Sequence, residues 1–137
     1  FGFNSLPVPA AAAGLASLRD PQLVPQRRNA NTVLRDEVTT WLTAQGYPCT
    51  TSESNCFMVD VKRPAPEFMK AMATYGVFVG RAWAVWPTWS RITVGTPEEM
   101  ARFKDAFAKV MAGQMGPLDV KTAMISDERR DGSLTLV

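Results

Sequence analysis

Histidine is absent from the 137 residues. That removes the commonest metal ligand and the side chain most used to move protons near neutral pH. Zinc sites and Ser-His or Cys-His nucleophilic machinery are therefore left without their usual ligand or base. Glycine-rich phosphate cradles are missing too, since neither G-x-G-x-x-G nor G-x-x-x-x-G-K-[ST] occurs. Charge of one sign is scarce: 15 Lys and Arg stand against 13 Asp and Glu, for a net charge of +2 with no lysine-rich block. Nothing there favours a nucleic-acid partner. No run of about 18 apolar residues exists, and "VPAAAAGLASL" is too short to span a bilayer and lacks a basic flank. The chain reads as soluble, without a membrane partner, and a cytoplasmic location is expected. Cysteine is limited to Cys49 and Cys56. Both read as free thiols, Cys56 at the opening of an expected buried strand.

What is present is apolar and periodic. With 46% hydrophobic residues, the length suits one small α+β domain or a piece of a larger protein. "LPVPAAAAGLASLRDP" reads as a helix starting after Pro7 or Pro9 and closed before Pro21. "NANTVLRDEVTTWLTAQG" predicts a longer helix from Asn29, with Leu34, Val38, Trp41 and Leu42 on one face and Gly46 at the C′ position; Arg35, Asp36 and Gln45 read as its solvated face. "CFMVDVK" over 56–62 predicts a strand, "PEFMKAMATYG" a helix, and "VFVGR" over 77–81 a second strand. "SRITVG" over 90–95 predicts a third, in which Arg91 and Thr93 alternate against Ile92 and Val94. Thr96, Pro97 and Glu99 form an expected capping box. Met100, Phe103, Phe107, Val110 and Met111 follow as an apolar stripe that stops at Gly113.

Three strands cannot be covered on both faces by so few helices, so the expected fold is a small sheet of about three strands with helices packed on one face. The polar face carrying Arg91 and Thr93 would be wet in a lone domain, or would border a cleft. A lone strand arginine is most often a solvated surface group. The tryptophans of "GRAWAVWPTWSRITVGTPEE" more often pack than bind.

In this order and spacing, "RNANTVLRDEVTTWLTAQGY", "SESNCFMVDV", "YGVFVGR" and "SRITVGTPEEMARFKDAFAKVM" resemble the C-terminal part of fold-type I pyridoxal-phosphate aminotransferases, most like the histidinol-phosphate branch. The resemblance covers roughly residues 5–112 and rests most on Asn55 to Phe57, Arg81 and "RITVGTPEE". It implies that residues 1–28 end a large cofactor-binding domain, that 29–113 form the small domain, and that 114–137 are a polar tail outside the likeness. Arg91 would then bind the carboxylate or other acidic end of an amino-acid substrate. Arg81 would help hold a phosphate end. Asn55 matches a motif position, where a turn or strand-entry role is expected over substrate contact, and Asn55, Trp83, Trp86 and Trp89 are the candidates to line the pocket.

The resemblance further implies pyridoxal phosphate as the cofactor, an amino acid and a 2-oxo acid as substrates, and a homodimer. No lysine here stands in the context that family uses for its Schiff base, so no catalytic or cofactor-binding residue is assigned to this chain, which reads as a fragment of such an enzyme missing its large domain. Two further readings remain open: a related pyridoxal-phosphate decarboxylase, and a non-catalytic α+β module that binds a small acidic ligand or a protein partner.

Overall fold

The computed structural model describes residues 7–119 and 135–136. Helix α1, Val8–Leu18, has proline in its first turn and ends before Pro21, as its alanines and flanking prolines predict. Helix α2 spans Leu23–Ala44 and so begins well before Asn29. Pro25 does not stop it, because the N–H groups of a first helical turn have no intrahelical acceptor and a residue without one loses nothing there. The helix closes at Gly46, whose φ of 84° only glycine adopts freely.

Strand β1, Cys56–Asp60, pairs antiparallel with β3, Trp89–Thr93, with Met58 opposite Arg91 and Phe57 opposite Ile92. Between them lie α3, Ala65–Ala73, and β2, Val77–Phe78. Helix α4, Pro97–Met111, follows β3, and β4, Thr135–Leu136, pairs in parallel with β2. The sheet is widened at both edges by single bridges, Cys49 to Val59 beside β1 and Gly80 to Arg91 beside β3.

The second expected strand, 77–81, is thus split. Its first residues turn to β4, and only its end reaches β3. The Gly80 N–H donates to the Arg91 carbonyl at 2.9 Å, the Arg91 N–H goes on to the Arg81 carbonyl at 3.4 Å, and the Gly80 carbonyl accepts from Ser90 Oγ at 3.3 Å. Two residues face one, the pattern of a bulge, which ends regular pairing and turns Arg81 outward.

The helices cover one face. Phe57, Val59 and Ile92 point inward and join Val38 and Leu42 of α2, Phe68 and Met72 of α3, and Met100, Phe103, Phe107 and Val110 of α4. Phe107 is the hub, with ring centroids 5.0 Å from Tyr47, 5.6 Å from Phe68 and 5.8 Å from Trp41 in edge-on geometry. The expected capping box holds α4: Thr96 Oγ1 accepts from the Glu99 N–H at 3.2 Å, and Glu99 Oε2 accepts from the Thr96 N–H at 2.7 Å.

Two expectations about single residues change. Arg35 does not lie on a solvated face of α2; it is 6% exposed, because its Nη1 donates to the Ser54 carbonyl at 3.2 Å while Asp36 receives its Nε. Cys56 is not buried but half-buried on the sheet's outer face, where the alternation of β1 puts it with Met58 and Asp60. The start of the tail, which the sequence left unplaced, is tied to the end of α3: the Gly116 N–H donates to Thr74 Oγ1 at 2.7 Å and the Leu118 N–H to the Thr74 carbonyl at 3.1 Å. Residues 1–6, 120–134 and 137 lie outside the described residues.

Candidate substrate-binding face

The alternation of β1 and β3 decides which side chains meet on the side away from the helices. Phe57, Val59, Ser90 and Ile92 turn in, so Cys56, Met58 and Asp60 of β1 turn out beside Thr93, Arg91 and Trp89 of β3. Arg91 therefore occupies the middle of the outer face, across from Met58, with Thr93 and Trp89 two residues to either side. Thr50 extends this face past β1: its N–H donates to the Met58 carbonyl at 2.9 Å, and its Oγ1 accepts from the Met58 N–H at 3.0 Å.

Arg91 is half-buried, and its Nε is covered and makes no hydrogen bond among the described residues. The described ion pairs, Arg35 with Asp36, Lys104 with Glu37 and Lys109 with Asp105, leave Arg91 out. A half-buried guanidinium on the outer face, outside those ion pairs, is suited to an incoming carboxylate or phosphate, whose two oxygens a planar guanidinium matches.

The tryptophans follow one another in a short hydrogen-bonded loop. Trp83 and Trp86 close a tight turn in which the Trp86 N–H donates to the Trp83 carbonyl at 3.0 Å, and the Trp89 N–H reaches the Trp86 carbonyl at 3.1 Å. The following loop is tied to the body through Val61 and Ala65, whose N–H groups donate to the carbonyls of Thr88 and Pro87. Trp86 and Trp89, with Thr50, line a depression of about 200 Å³. Trp89 shares a face with Arg91, so this apolar hollow lies on the same side of the sheet as the guanidinium. None of Trp83, Trp86 and Trp89 joins the hydrophobic core, whereas Trp41 does.

The other two sequence candidates lie at the margins. Arg81 is exposed where the chain leaves the bulge, beside Arg91 along the backbone. Asn55 is exposed as well, and its carbonyl accepts from the Val94 N–H at 2.7 Å, which extends the β1–β3 ladder. Residue-by-residue reading passed over Met58, Thr50 and Gly80. Alternation within "CFMVD" is the available signal for Met58; Thr50 joins the face by pairing with Met58 across the intervening turn.

The sequence matches the family model of aminotransferase class I and II over residues 2–107. This chain belongs to that family. It is 34% identical to histidinol-phosphate aminotransferase 2 of Pseudomonas aeruginosa over 113 residues, which cover 82% of this chain and 30% of that relative. It is 37% identical to histidinol-phosphate aminotransferase of Symbiobacterium thermophilum, covering 77% of this chain and 29% of the relative. The fold is similar, with a TM-score of 0.69 and 30% identity, to the crystal structure of a protein from Erwinia carotovora atroseptica SCRI1043 described as a histidinol-phosphate aminotransferase; the match covers 74% of this chain and 29% of that one. The chain thus spans about 30% of the length of the curated relatives it matches.

Membership in this family implies pyridoxal phosphate in a complete enzyme. The described residues of this chain do not fit that cofactor. Lys104 and Lys109 of α4 are paired with Glu37 and Asp105, and each ammonium stands over a ring, Trp41 and Tyr75. Lys62 is exposed in the turn after β1, and Lys70 is exposed on α3. None of these four is on the outer sheet face, and Lys121 lies outside the described residues. Among the described residues no group of three or more His, Cys, Asp or Glu could hold a metal ion, and no helix is long and apolar enough to cross a membrane.

Proposed function

We propose that this chain supplies the substrate-binding small domain of an aminotransferase of the histidinol-phosphate type, an enzyme that moves an amino group between an amino acid or amino-phosphate and a 2-oxo acid. The observation that supports the reading is Arg91, half-buried in the middle of the outer sheet face and outside the described ion pairs. Arg91 takes the acidic end of the substrate. Arg81 assists at a second anionic group, and Trp86 and Trp89 wall the side of the same cleft. Residues 29–113 form the small domain, and residues 1–28 belong to the end of the large domain, with α2 as the rigid link between them. The large domain supplies the pyridoxal phosphate site, and the exposed apolar residues of α1 meet that domain and a partner subunit in a homodimer.

Steady-state kinetics of the complete enzyme test the assignment. A charge-assisted hydrogen bond contributes about 1.5–3 kcal/mol, so Arg91→Ala lowers kcat/KM for the acidic substrate by roughly two orders of magnitude. Arg91→Lys recovers only part, because an ammonium lacks the planar fork. Near-normal kcat/KM in Arg91→Ala for every accepted substrate would overturn the reading.

A further inference from the structure

Arg91 holds its place because of what position 80 lacks. A Cβ on Gly80 would lie 3.0 Å from Arg91 Nε, 3.2 Å from its Nη2 and 3.2 Å from its carbonyl oxygen. The first of these is at the limit of what real side chains tolerate, and all three fall on the same residue. Backbone conformation does not demand glycine here: the described glycines with positive φ are Gly46, Gly76 and Gly113, and Gly80 is not among them. Glycine at position 80 is therefore a matter of space, and the space is filled by the guanidinium of Arg91.

We propose that Gly80 is a positioning residue for Arg91, and through it a determinant of affinity for the anionic substrate. The bare backbone at the bulge gives the guanidinium a shelf against which Nε and Nη2 rest, leaving its open side toward the outer face. Nothing among the described hydrogen bonds holds Nε there. A buried donor without a partner is unfavourable, so a side chain at position 80 tips Arg91 out of this pose and into water. A displaced fork no longer presents both nitrogens to one carboxylate or phosphate. The inference rests on the reading of Arg91 as the anion anchor.

Two measurements separate the two ideas. In this chain, the NMR signal of the Arg91 Nε–H, assigned by its loss in Arg91→Lys, exchanges slowly with water because Nε is covered. Gly80→Ala accelerates that exchange, and Gly80→Val does so by about tenfold or more, the factor that corresponds to about 1.4 kcal/mol. Unchanged exchange in Gly80→Ala and in any Gly80→Val that folds overturns the positioning role, whatever Arg91 does for substrate.

In the complete enzyme, Gly80→Val raises KM for the acidic substrate about tenfold, a factor worth about 1.4 kcal/mol, with a smaller change in kcat. The double variant Gly80→Val with Arg91→Ala is no worse than Arg91→Ala alone, since Gly80 acts only through Arg91. If the two losses add in full, Gly80 acts by another route and the proposal fails. If exchange accelerates while Arg91→Ala keeps normal kcat/KM, the anchor reading fails and takes the substrate role of Gly80 with it. Gly80→Ala carries both arms if Gly80→Val does not fold.

Discussion

Arg35 of α2 donates to the carbonyl of Ser54 at 3.2 Å, across 19 residues of chain. The same carbonyl accepts from Asn31 Nδ2 at 3.2 Å, so two turns of α2 grip the segment that leads into β1. The gripped residue stands two places before β1, whose register puts Met58 opposite Arg91.

Arg35→Ala is therefore expected to destabilise the domain by about 1.5–3 kcal/mol, the contribution of a charge-assisted hydrogen bond in a buried setting. Arg35→Met, which keeps much of the buried stem, recovers the packing share but not the tether. Urea denaturation of both variants checks this. Equal stability of Arg35→Ala and the unaltered chain would show that the Ser54 segment is held by Asn31 and the sheet alone.

Thr96→Ala removes the acceptor for the Glu99 N–H and is expected to cost about 1 kcal/mol, or roughly 4 °C in Tm for a chain of this size. Glu99→Ala removes the return bond to the Thr96 N–H. The two bonds form one box, so the double variant should fall short of the sum. A fully additive pair of losses, read by thermal melting, would mean the two bonds act independently.

The helices were legible because their signals are local. The Thr96-Pro97-Glu99 cap, the apolar spacing through Val110 and the glycine stop after α2 are written within a few residues of where they act. The outward turn of Arg91 was equally legible, since strand alternation needs only its own neighbours. What escaped depends on distant partners. Arg35 on a polar-looking helix face is buried only because the Ser54 carbonyl arrives beside it. The strand expected at 77–81 is cut short by a bulge whose cause is its fit to Ser90 and Arg91, and Val77 and Phe78 pair instead with residues far along the chain. The register also puts Cys49 opposite Val59, three places from Cys56, and so keeps the two thiols apart.

Gly116→Ala should release the segment after α4 from the body of the domain. A Cβ there would overlap the Thr74 carbonyl and stand 2.7 Å from its hydroxyl oxygen, which also donates to the Ala71 carbonyl and cannot swing aside freely. In hydrogen exchange the amides of Gly116 and Leu118 are expected to lose protection together, while those of α4 keep theirs. Continued protection at Leu118 in the variant would place its hold elsewhere than on Thr74.

Burial pushes the Cys49 thiol up to about 11, against a smaller opposing pull from a hydrogen bond with Thr43. The thiolate is the reacting form, so in a Cys56→Ala background alkylation of Cys49 by iodoacetamide should keep rising about tenfold per pH unit through pH 10. The sign for stability follows from the same shift. Between the ordinary thiol value of 9.0 and about 11, the unfolded chain holds fewer protons at Cys49 than the folded one, so stability declines across that window and is unaffected below it. A rate plateau below pH 9.5 would show that Cys49 is not desolvated.

Helix α1 buries none of its own residues, and Val8, Leu15 and Leu18 stand 82%, 52% and 79% exposed, followed on α2 by the exposed Val24 and Val33. Scattered exposed apolar side chains are ordinary, but within α1 every residue is apolar except Ser17, so Val8, Leu15 and Leu18 stand in water on a helix with almost no polar surface. Water alone gives α1 no packed face to stabilise it, and an isolated helix of 11 residues is marginal even when rich in alanine. The chain on its own should therefore self-associate at micromolar to millimolar concentration, fray from Val8 to Leu18, or do both in exchange. Leu15→Glu combined with Leu18→Glu removes the apolar driving force and is expected to shift sedimentation toward monomer without lowering the stability of the core around Phe107, which α1 does not join. A compact monomer with protected amides from Ala10 to Leu18 in the unaltered chain would show that α1 is satisfied by the domain itself, and its exposed side chains would then need no partner.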